Sequence, residues 1–592
     1  MPSHVNGYQI ESVNMLQALL TLKPVPDIPH LSKAIFDLKC SPLKFLKELT
    51  IKTYSSYNLD HLGLIAGMVD ELGLEELIDT LIPQDQEQRR VCVGKCVKAM
   101  ILNGLGFANR TLYLMPNFFK DKPVERLFGE AIKAEYFNDD ALGRALDSIY
   151  TYGTSNFYAQ LAAQSVKRLG LSCEAGHLDS STFHVDGDYN SRENAEDLAD
   201  GVIHITQGYS RDHRPDLNQV VLQLICENQA GIPLWMKALS GNSNDSSDFR
   251  ETIKTHLSQL KASVELPVIV ADCALYAKDT LQELNDFPWI TRVPETIRGV
   301  SEICQAMASE HMLDKPEQAF ESLCSNYGGV KQRWLVVYTR AAHQRSEKTV
   351  NRQFLKQSEV EWHAFEQLKK QEFACDVDAK SVLKLFQKKL ETTEINDFSI
   401  IEIKKFKKKG RPSKKQEPDE IRYQIQANLS SLLDVRRRKI AKKCCFILAT
   451  NELDETKLSD KQFLTHYTPG QQKVEGGFRF LKDPLFMANT LFLKSPKRIE
   501  ALMAIMTLCL LVYSALEYRI RQSLIENKAT FPNQIGGSTD KPTARWVFQF
   551  FVGIHILIIG EIQSVVLNCH VQHFSLLKLL GERYVLIYSN SQ

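Results

Sequence analysis

The stretch His177–Asp188, HLDSSTFHVDGD, has the look of a β-strand yet carries three aspartates. Strand alternation puts His177, Asp179, Ser181 and Phe183 on one face, so Asp179 projects from the same side as core groups. The same setting recurs in VIVADCALY, where Val268, Val270 and Asp272 share a face and Asp272 closes an apolar strand. That C-terminal edge is where an α/β sheet collects functional side chains. A third carboxylate, Glu475, falls in a helical stretch after the strand CCFILATN. Two strand carboxylates and one helix carboxylate can converge on two divalent cations roughly 3.5–4 Å apart, the arrangement that drives in-line attack on phosphodiesters. Magnesium suits such a site, because it prefers oxygen ligands and keeps several waters. Taken singly, each residue is better explained structurally, Asp179 as a hydrogen-bonded strand-end acid and Asp272 as a helix N-cap, and it is their joint placement that points to a site.

Around these acids the pattern is regular. Leu59 to Leu169 reads as short helices, with Asp139 or Asp140 as an N-cap. From Gly176 the chain turns to strand-like runs, HLDSSTFHV, GVIHITQGY, NQVVLQLICEN and IPLWMKAL. The helix NDSSDFRETIKTHLSQL, the strand LPVIVADCAL, the helix AKDTLQELNDF and the strand WITRV follow. Strands first and then alternating helix and strand describe an α/β core with an antiparallel half and a parallel half. Between about Pro294 and Lys442 lies a stretch read as an insertion, holding a long charged helical segment and the basic run KKFKKKGRPSKK.

Composition narrows the class. At 592 residues the chain exceeds what one hydrophobic core usually supports. Lys and Arg number 72 against 71 acids, so only the placement of charge is informative. The 13 cysteines are scattered without paired metal-site spacing, Cys92 and Cys96 being the nearest to a pair, which reads as a reduced, intracellular protein. No signal-peptide layout opens the sequence. The apolar run Ala501–Leu516 is slightly short of a bilayer and meets Glu517, Arg519 and Arg521, so a buried helix is expected and no membrane partner. His177, His184 and His204 could ligate a metal beside Asp179, but single strand histidines are more often structural.

Several of these segments, in this order, resemble the DDE transposases of bacterial insertion sequences, in particular the IS-four superfamily. HLDSSTFHVDG resembles the first-Asp strand, GYSRDHRPDLNQ the characteristic hairpin, VIVADCALY the second-Asp strand, and YTPGQQKVEGGFRFLKDP the Glu helix, over roughly residues 60–550. The family's Tyr-Arg-Glu-Lys spacing is met by Glu475 and Lys482. Its Arg position falls on Gln471, Tyr467 lies one residue from the Tyr position, and Arg479, one turn after Glu475, can supply charge instead. Gly476 and Gly477 inside this helix point to close approach of DNA, a later helix start or a break.

The resemblance implies a mixed α/β, ribonuclease-H-like sheet with an insertion subdomain, preceded by an all-helical N-terminal domain. The expected divisions are an arm (1–58), a helical DNA-binding domain (59–170), a first core part (171–297), an insertion (298–441, basic linker 404–415), a second core part (442–525) and a C-terminal region (526–592). It further implies a catalytic and metal-binding triad of Asp179, Asp272 and Glu475 with two Mg²⁺ or Mn²⁺ ions per site. The partners would be double-stranded DNA, as terminal inverted repeats and target, and a second copy on paired ends. The location would be a bacterial, nucleoid-associated cytoplasm. Expected DNA contacts are Lys482, Arg479, Tyr467, Arg211, His213 and Arg214, with Lys407, Lys408, Lys409 and Arg411 as a minor-groove hook. A nuclease that cuts without joining, and a non-catalytic DNA-binding derivative, are the alternatives.

Overall fold

The computed structural model describes residues 54–84, 90–107, 111–185, 189, 201–209, 214–243, 266–311, 314–407, 417–483, 493–559 and 563–590. The expected N-terminal arm, apart from its last residues, and the helix expected at 244–260 lie outside them.

An eight-stranded mixed sheet organises the protein, in the order β4-β3-β2-β5-β6-β12-β8-β7. Its first half comprises β2 (Gly176–Val185), β3 (Asn218–Glu227), β4 (Pro233–Ser240), β5 (Ile269–Ala271) and β6 (Trp289–Arg292). The other half is β7 (Gln318–Tyr327), β8 (Val330–Thr339) and β12 (Cys445–Thr450). Strands β2 to β4 form an antiparallel meander, β5 and β6 lie parallel to β2, and β12, β8 and β7 continue antiparallel. Thus part of the stretch read as an insertion extends the sheet. The run GVIHITQGY is not a full strand. Among its described residues it contributes one bridge, Thr206 to Gln219.

The β3–β4 turn shows how local chemistry fixes this framework. Gly231 adopts φ +77°, a left-handed conformation suited to glycine. The buried carboxylate of Glu227 accepts the backbone N–H groups of Gln229, Ala230 (2.7 Å) and Ile232 (2.8 Å), satisfying donors that the turn would otherwise orphan.

Preceding the sheet are β1 (Tyr54–Asn58) and the helices α1 (Leu62–Glu71), α2 (Leu74–Leu81), α3 (Val93–Leu105), α4 (Asp139–Tyr152) and α5 (Thr154–Leu169). The cap of α4 is Asn138, whose side chain accepts from Ala141 N at 2.9 Å, and the two aspartates expected there occupy the first turn instead. These helices share one apolar core with the sheet and the C-terminal segments. Polar ties reinforce it: Arg498 grips Asp147 through two bonds (2.8 and 2.7 Å), and Glu71 accepts from Arg519 (3.0 Å) and Tyr584 (2.7 Å). β1 pairs antiparallel with the strand His555–Ile559, joining Tyr54 to Ile559.

Between β8 and β12 a lobe stands apart. It holds α6 (Arg340–Lys369), β9 (Glu372–Phe373), α7 (Asp376–Gln387), β10 (Thr393–Lys405), β11 (Glu420–Ser431) and α8 (Leu433–Cys444). A small core of Phe365, Leu368, Ala379, Leu383, Ile425 and Ala427 holds its distal part together. Two more helices complete the architecture, α9 (Asp460–Leu481) and α10 (Pro496–Glu526). α10 is long and apolar enough to cross a membrane, but 83% of its most apolar window is buried inside the protein, as the all-round hydrophobicity of a core helix requires.

Candidate active site

Register explains why two strands carry acids. In the parallel β2–β5 pair, His177 faces Val270 and Leu178 faces Ala271, so one step further sets Asp179 beside Asp272. Neighbouring strands lie about 4.8 Å apart, and residues paired in register project to the same face. Extending the β5–β6 pair, in which Ala271 faces Thr291, by one residue sets Arg292 beside Asp272. The same row runs from Leu224 through Asp179, Asp272 and Arg292 to Leu448 and Leu335. Arg292 was not singled out by the sequence reading. The signal was the equal offset along WITRV, which becomes visible only when the strands are paired.

Asp179 is buried, and its Oδ1 accepts from Ser180 N at 2.8 Å. Asp272 also caps the 3₁₀ turn Cys273–Leu275, with Oδ1 accepting from Ala274 N at 2.9 Å, while the Thr291 hydroxyl donates to its carbonyl at 2.6 Å. The capping reading is therefore true of Asp272, and it coexists with a place in the acid row.

Helix α9 covers this face. A capping box of Ser459 and Gln462 starts it, and Phe463 and Leu464 pack with Val268 and Val270 on the acid-bearing side of β5. Gly470 lies directly on the His177 ring, so close that a β-carbon there would fall 1.8 Å from Nε2. Twelve residues later Lys482 Nζ stands 5.7 Å from the centre of the Phe183 ring. Those two contacts calibrate the helix against the strand: 12 helical residues rise roughly 18 Å and the six strand residues from His177 to Phe183 span roughly 20 Å. Glu475, about 7.5 Å along from Gly470 at the helical rise, therefore stands level with Asp179. Tyr467, Gln471, Glu475 and Lys482 fall on one flank of α9 at steps of four, four and seven residues.

Tyr467 ties the two sets of acids together electrically. Burial pushes its phenol up to about 12, and it feels the charges of Arg292, Asp272, Cys273 and Glu475. Its ring packs 6.5 Å from that of Phe446. Gln471, at the expected Arg position, keeps a buried Oε1 without a hydrogen-bond partner among the described residues. Lys473 anchors the helix by donating to the carbonyls of Asn228 (2.6 Å) and Gln229 in the β3–β4 turn.

The helix is unbroken through Gly476 and Gly477, contrary to the expectation of a break or a late start. A β-carbon at Gly477 would meet Leu510 at 3.0 Å, so that glycine serves helix packing against α10, whereas Gly476 faces open space. Glu475 and Arg479 are exposed. Arg214 forms a two-bond pair with Asp216 (2.9 and 2.7 Å), which already occupies its guanidinium edge. Lys407 is exposed at the end of the β10–β11 hairpin, its backbone N–H donating to Asp419 at 2.8 Å. Arg211, His213, Lys408, Lys409 and Arg411 lie outside the described residues.

His177 is fully buried with neither ring nitrogen hydrogen-bonded among the described residues. Desolvation, with smaller contributions from His466 and Lys473, pushes it down to about 3. Protonation is thus far harder in the folded protein than in the unfolded chain, whose imidazole titrates near 6.5. The unfolded state binds the extra proton between these values, so stability is full above pH 6.5 and falls as pH drops through the window. From pH 6.5 to 4.5 the loss attributable to this ring is roughly 2 to 3 kcal/mol. Urea unfolding at both pH values, compared with His177→Asn, measures it, and an equal pH dependence in the variant contradicts the assignment.

Among the described residues, one set of three ligand-type side chains comes within 4.8 Å, Glu75, Asp79 and Cys92. It is already committed to structure: Lys95 pairs with Glu75, Gly94 N donates to Asp79 at 2.8 Å, and Cys92 caps α3 with its thiol pushed up to about 12. Asp179, Asp272 and Glu475 do not form such a set, since their carboxylate oxygens do not all come within 4.8 Å of one another, although hard carboxylate oxygens are the donors a divalent cation prefers.

Comparison with known proteins gives two family matches. Residues 175–512 match the Transposase DDE domain, and residues 54–163 match a Domain of unknown function (DUF4277). No curated protein matches the chain. Among solved structures, the cryo-EM structure of piggyBac transposase synaptic complex with hairpin DNA aligns at 7% identity and a TM-score of 0.32, over 83% of this chain and 77% of that one. A likeness at that score carries no weight for ligand or mechanism. The domain match spans more than half of the sequence and contains both strand acids and the helix acid, and the chain belongs to the transposase DDE domain family.

Proposed function

We propose that this protein is the transposase of an insertion sequence, cutting DNA at the element's ends and joining the freed 3′-hydroxyl to target DNA. The observation that supports the reading is the β2–β5 register, which one residue beyond its last pair sets Asp179 beside Asp272, with Glu475 at about the same height along α9. The strand order β4-β3-β2-β5-β6, three antiparallel strands followed by two parallel ones, supports a ribonuclease-H-like core. In this reading Asp179, Asp272 and Glu475 would hold two Mg²⁺ or Mn²⁺ ions. When bound, such ions activate the attacking oxygen and neutralise charge on the phosphate.

The chain's own groups do the rest. Arg292, next in register to Asp272, has its guanidinium over the Phe446 ring (5.7 Å) and 3.5 Å from Glu295, and in this reading it turns to a non-bridging phosphate oxygen once DNA is bound. Lys482 extends the positive side of the site past Phe183. Tyr467, whose burial raises its phenol further above neutrality, presents a neutral hydroxyl as donor. Terminal repeats and target duplex are the substrates, two copies act on paired ends, and the setting is the bacterial nucleoid.

The test is a plasmid carrying the inverted repeats that flank the gene, incubated with the protein and Mg²⁺ or Mn²⁺, wild type against Glu475→Gln. Breaks at repeat ends and joined products, both lost in the variant, are the expected result. Breaks without joined products reduce the activity to that of a nuclease. Binding without breaks under either metal removes catalysis from the reading.

A further inference from the structure

Besides the basic run 404–415, this nearly neutral chain carries a second concentration of positive charge, on two helices. The first half of α6, Arg340–Lys356, carries five cations against Glu347, and α8 carries six against Asp434. Together these 29 residues hold a net +9, in a chain whose total is +1. The second half of α6, Gln357–Lys369, mixes signs as a merely solvated helix does, with Glu359, Glu361, Glu366 and Lys369.

Placement adds to the count. Arg345, Lys348, Arg352 and Lys356 recur at steps of three, four and four, all exposed, on the face opposite the buried His343, Ser346, Val350 and Phe354. The stripe is about 16 Å long at the helical rise. On α8, Arg438, Lys439, Lys442 and Lys443 are exposed as well. None of these eight cations has a carboxylate within 4 Å among the described residues, while Arg340 and Arg437 do have such partners. The helices lie antiparallel, with the Ser346 hydroxyl bonded to the Lys443 carbonyl (2.9 Å) and Arg436 to Asn351 (2.7 Å).

They also spring from the catalytic edge. α6 leaves β8 at Thr339 and α8 enters β12 at Cys445, where Cys445 pairs with Tyr338. That joint is three residues, or about 10 Å, along β12 from Leu448, the partner of Arg292 in the acid row. A duplex seated on the acids must continue past this edge.

We infer that the outward stripe of α6, with the exposed cations of α8, binds the phosphate backbone of duplex DNA beside the active site, without reading its sequence. This rests on the chain acting on DNA. Lysine and arginine neutralising phosphates release condensed counterions, so each contact leaves a signature in the salt dependence of binding.

The test measures binding of the full chain to a 40-base-pair duplex across a salt series. The variants are Arg345→Gln/Lys348→Gln/Arg352→Gln/Lys356→Gln and, separately, Arg438→Gln/Lys439→Gln/Lys442→Gln. The expected result is a log K against log salt slope shallower by about 3 in the quadruple variant, with affinity reduced alike for element-end and unrelated duplexes. Variants that melt like the wild type yet keep its slope and affinity overturn the proposal and leave the transposase reading intact. Wild type that binds no duplex at all overturns both. A variant that keeps DNA affinity but loses self-association assigns the stripe to a protein contact and also overturns it.

Discussion

On the proposed reading, Asp272→Asn is expected to lower strand cleavage at least about 10³-fold, the equivalent of ~4 kcal/mol of transition-state stabilisation, while duplex affinity stays within about twofold. The asymmetry follows from the two jobs of this side chain. The amide oxygen can still accept the 2.9 Å bond from Ala274 N, so the turn after β5 persists and the fold is spared. What disappears is the negative charge beside Asp179, and an amide N–H₂ cannot replace a hard anionic oxygen toward a divalent cation. Asp272→Ala is the useful contrast, because it loses the cap too and should also cost about 1 kcal/mol of stability. Single-turnover cleavage on a labelled element end, together with melting curves for both variants, separates chemistry from folding. Cleavage retained by Asp272→Asn would remove the aspartate pair from the mechanism.

Gly470→Ala carries the second large effect, and it comes from packing. Helix propensity alone favours alanine over glycine by about 1 kcal/mol. Here the new β-carbon would land 1.8 Å from His177 Nε2 and 2.1 Å from Cε1, and the ring is fully buried. To reach van der Waals contact the helix has to lift by about 1.5 Å, which outweighs the propensity gain at a typical overpacking cost of 1–3 kcal/mol. Because Glu475 rides on the same helix five residues on, that lift displaces its carboxylate, and on the proposed reading a misplacement of about 1 Å costs about 10²-fold in rate. The double variant Gly470→Ala/His177→Ala removes the obstacle. Its stability should exceed the sum of the single effects by more than about 1 kcal/mol, and strict additivity would show that the two residues do not share a contact.

Much of this site is legible in the sequence because periodicity of two and of 3.6 residues is a local property. The face of Asp179, the strand ending in Asp272 and the helix around Glu475 all follow from it. Arg292 is not legible, since its membership of the row depends on how two strands are registered. The same holds for Gly470, whose meaning lies in a ring nearly 300 residues earlier. Asp139 and Asp140 have the right chemistry for a cap, but Asn138 takes the role one residue sooner, within the ordinary uncertainty of helix ends. Gly476 and Gly477 read as a weakness in isolation. Burial of Val474, Phe478 and Leu481 against a neighbouring helix supplies the stabilisation that their propensity lacks. That residues 318–339 supply two strands of the main sheet is a matter of topology that composition does not encode.

The pairing of Tyr54 with Ile559 has a temporal meaning. A ribosome adding about 5–20 residues per second needs roughly 25 to 100 s to deliver the second strand after the first. Throughout that interval the helices from Leu62 to Leu169 have neither α10 nor the strand His555–Ile559 to cover their apolar faces, and they emerge as sticky, incomplete segments in need of shelter. A nascent chain stalled before residue 496 would therefore be exposed to proteases and to aggregation, and the strand acids at 179 and 272 gain their helical cover only once α9 has been made.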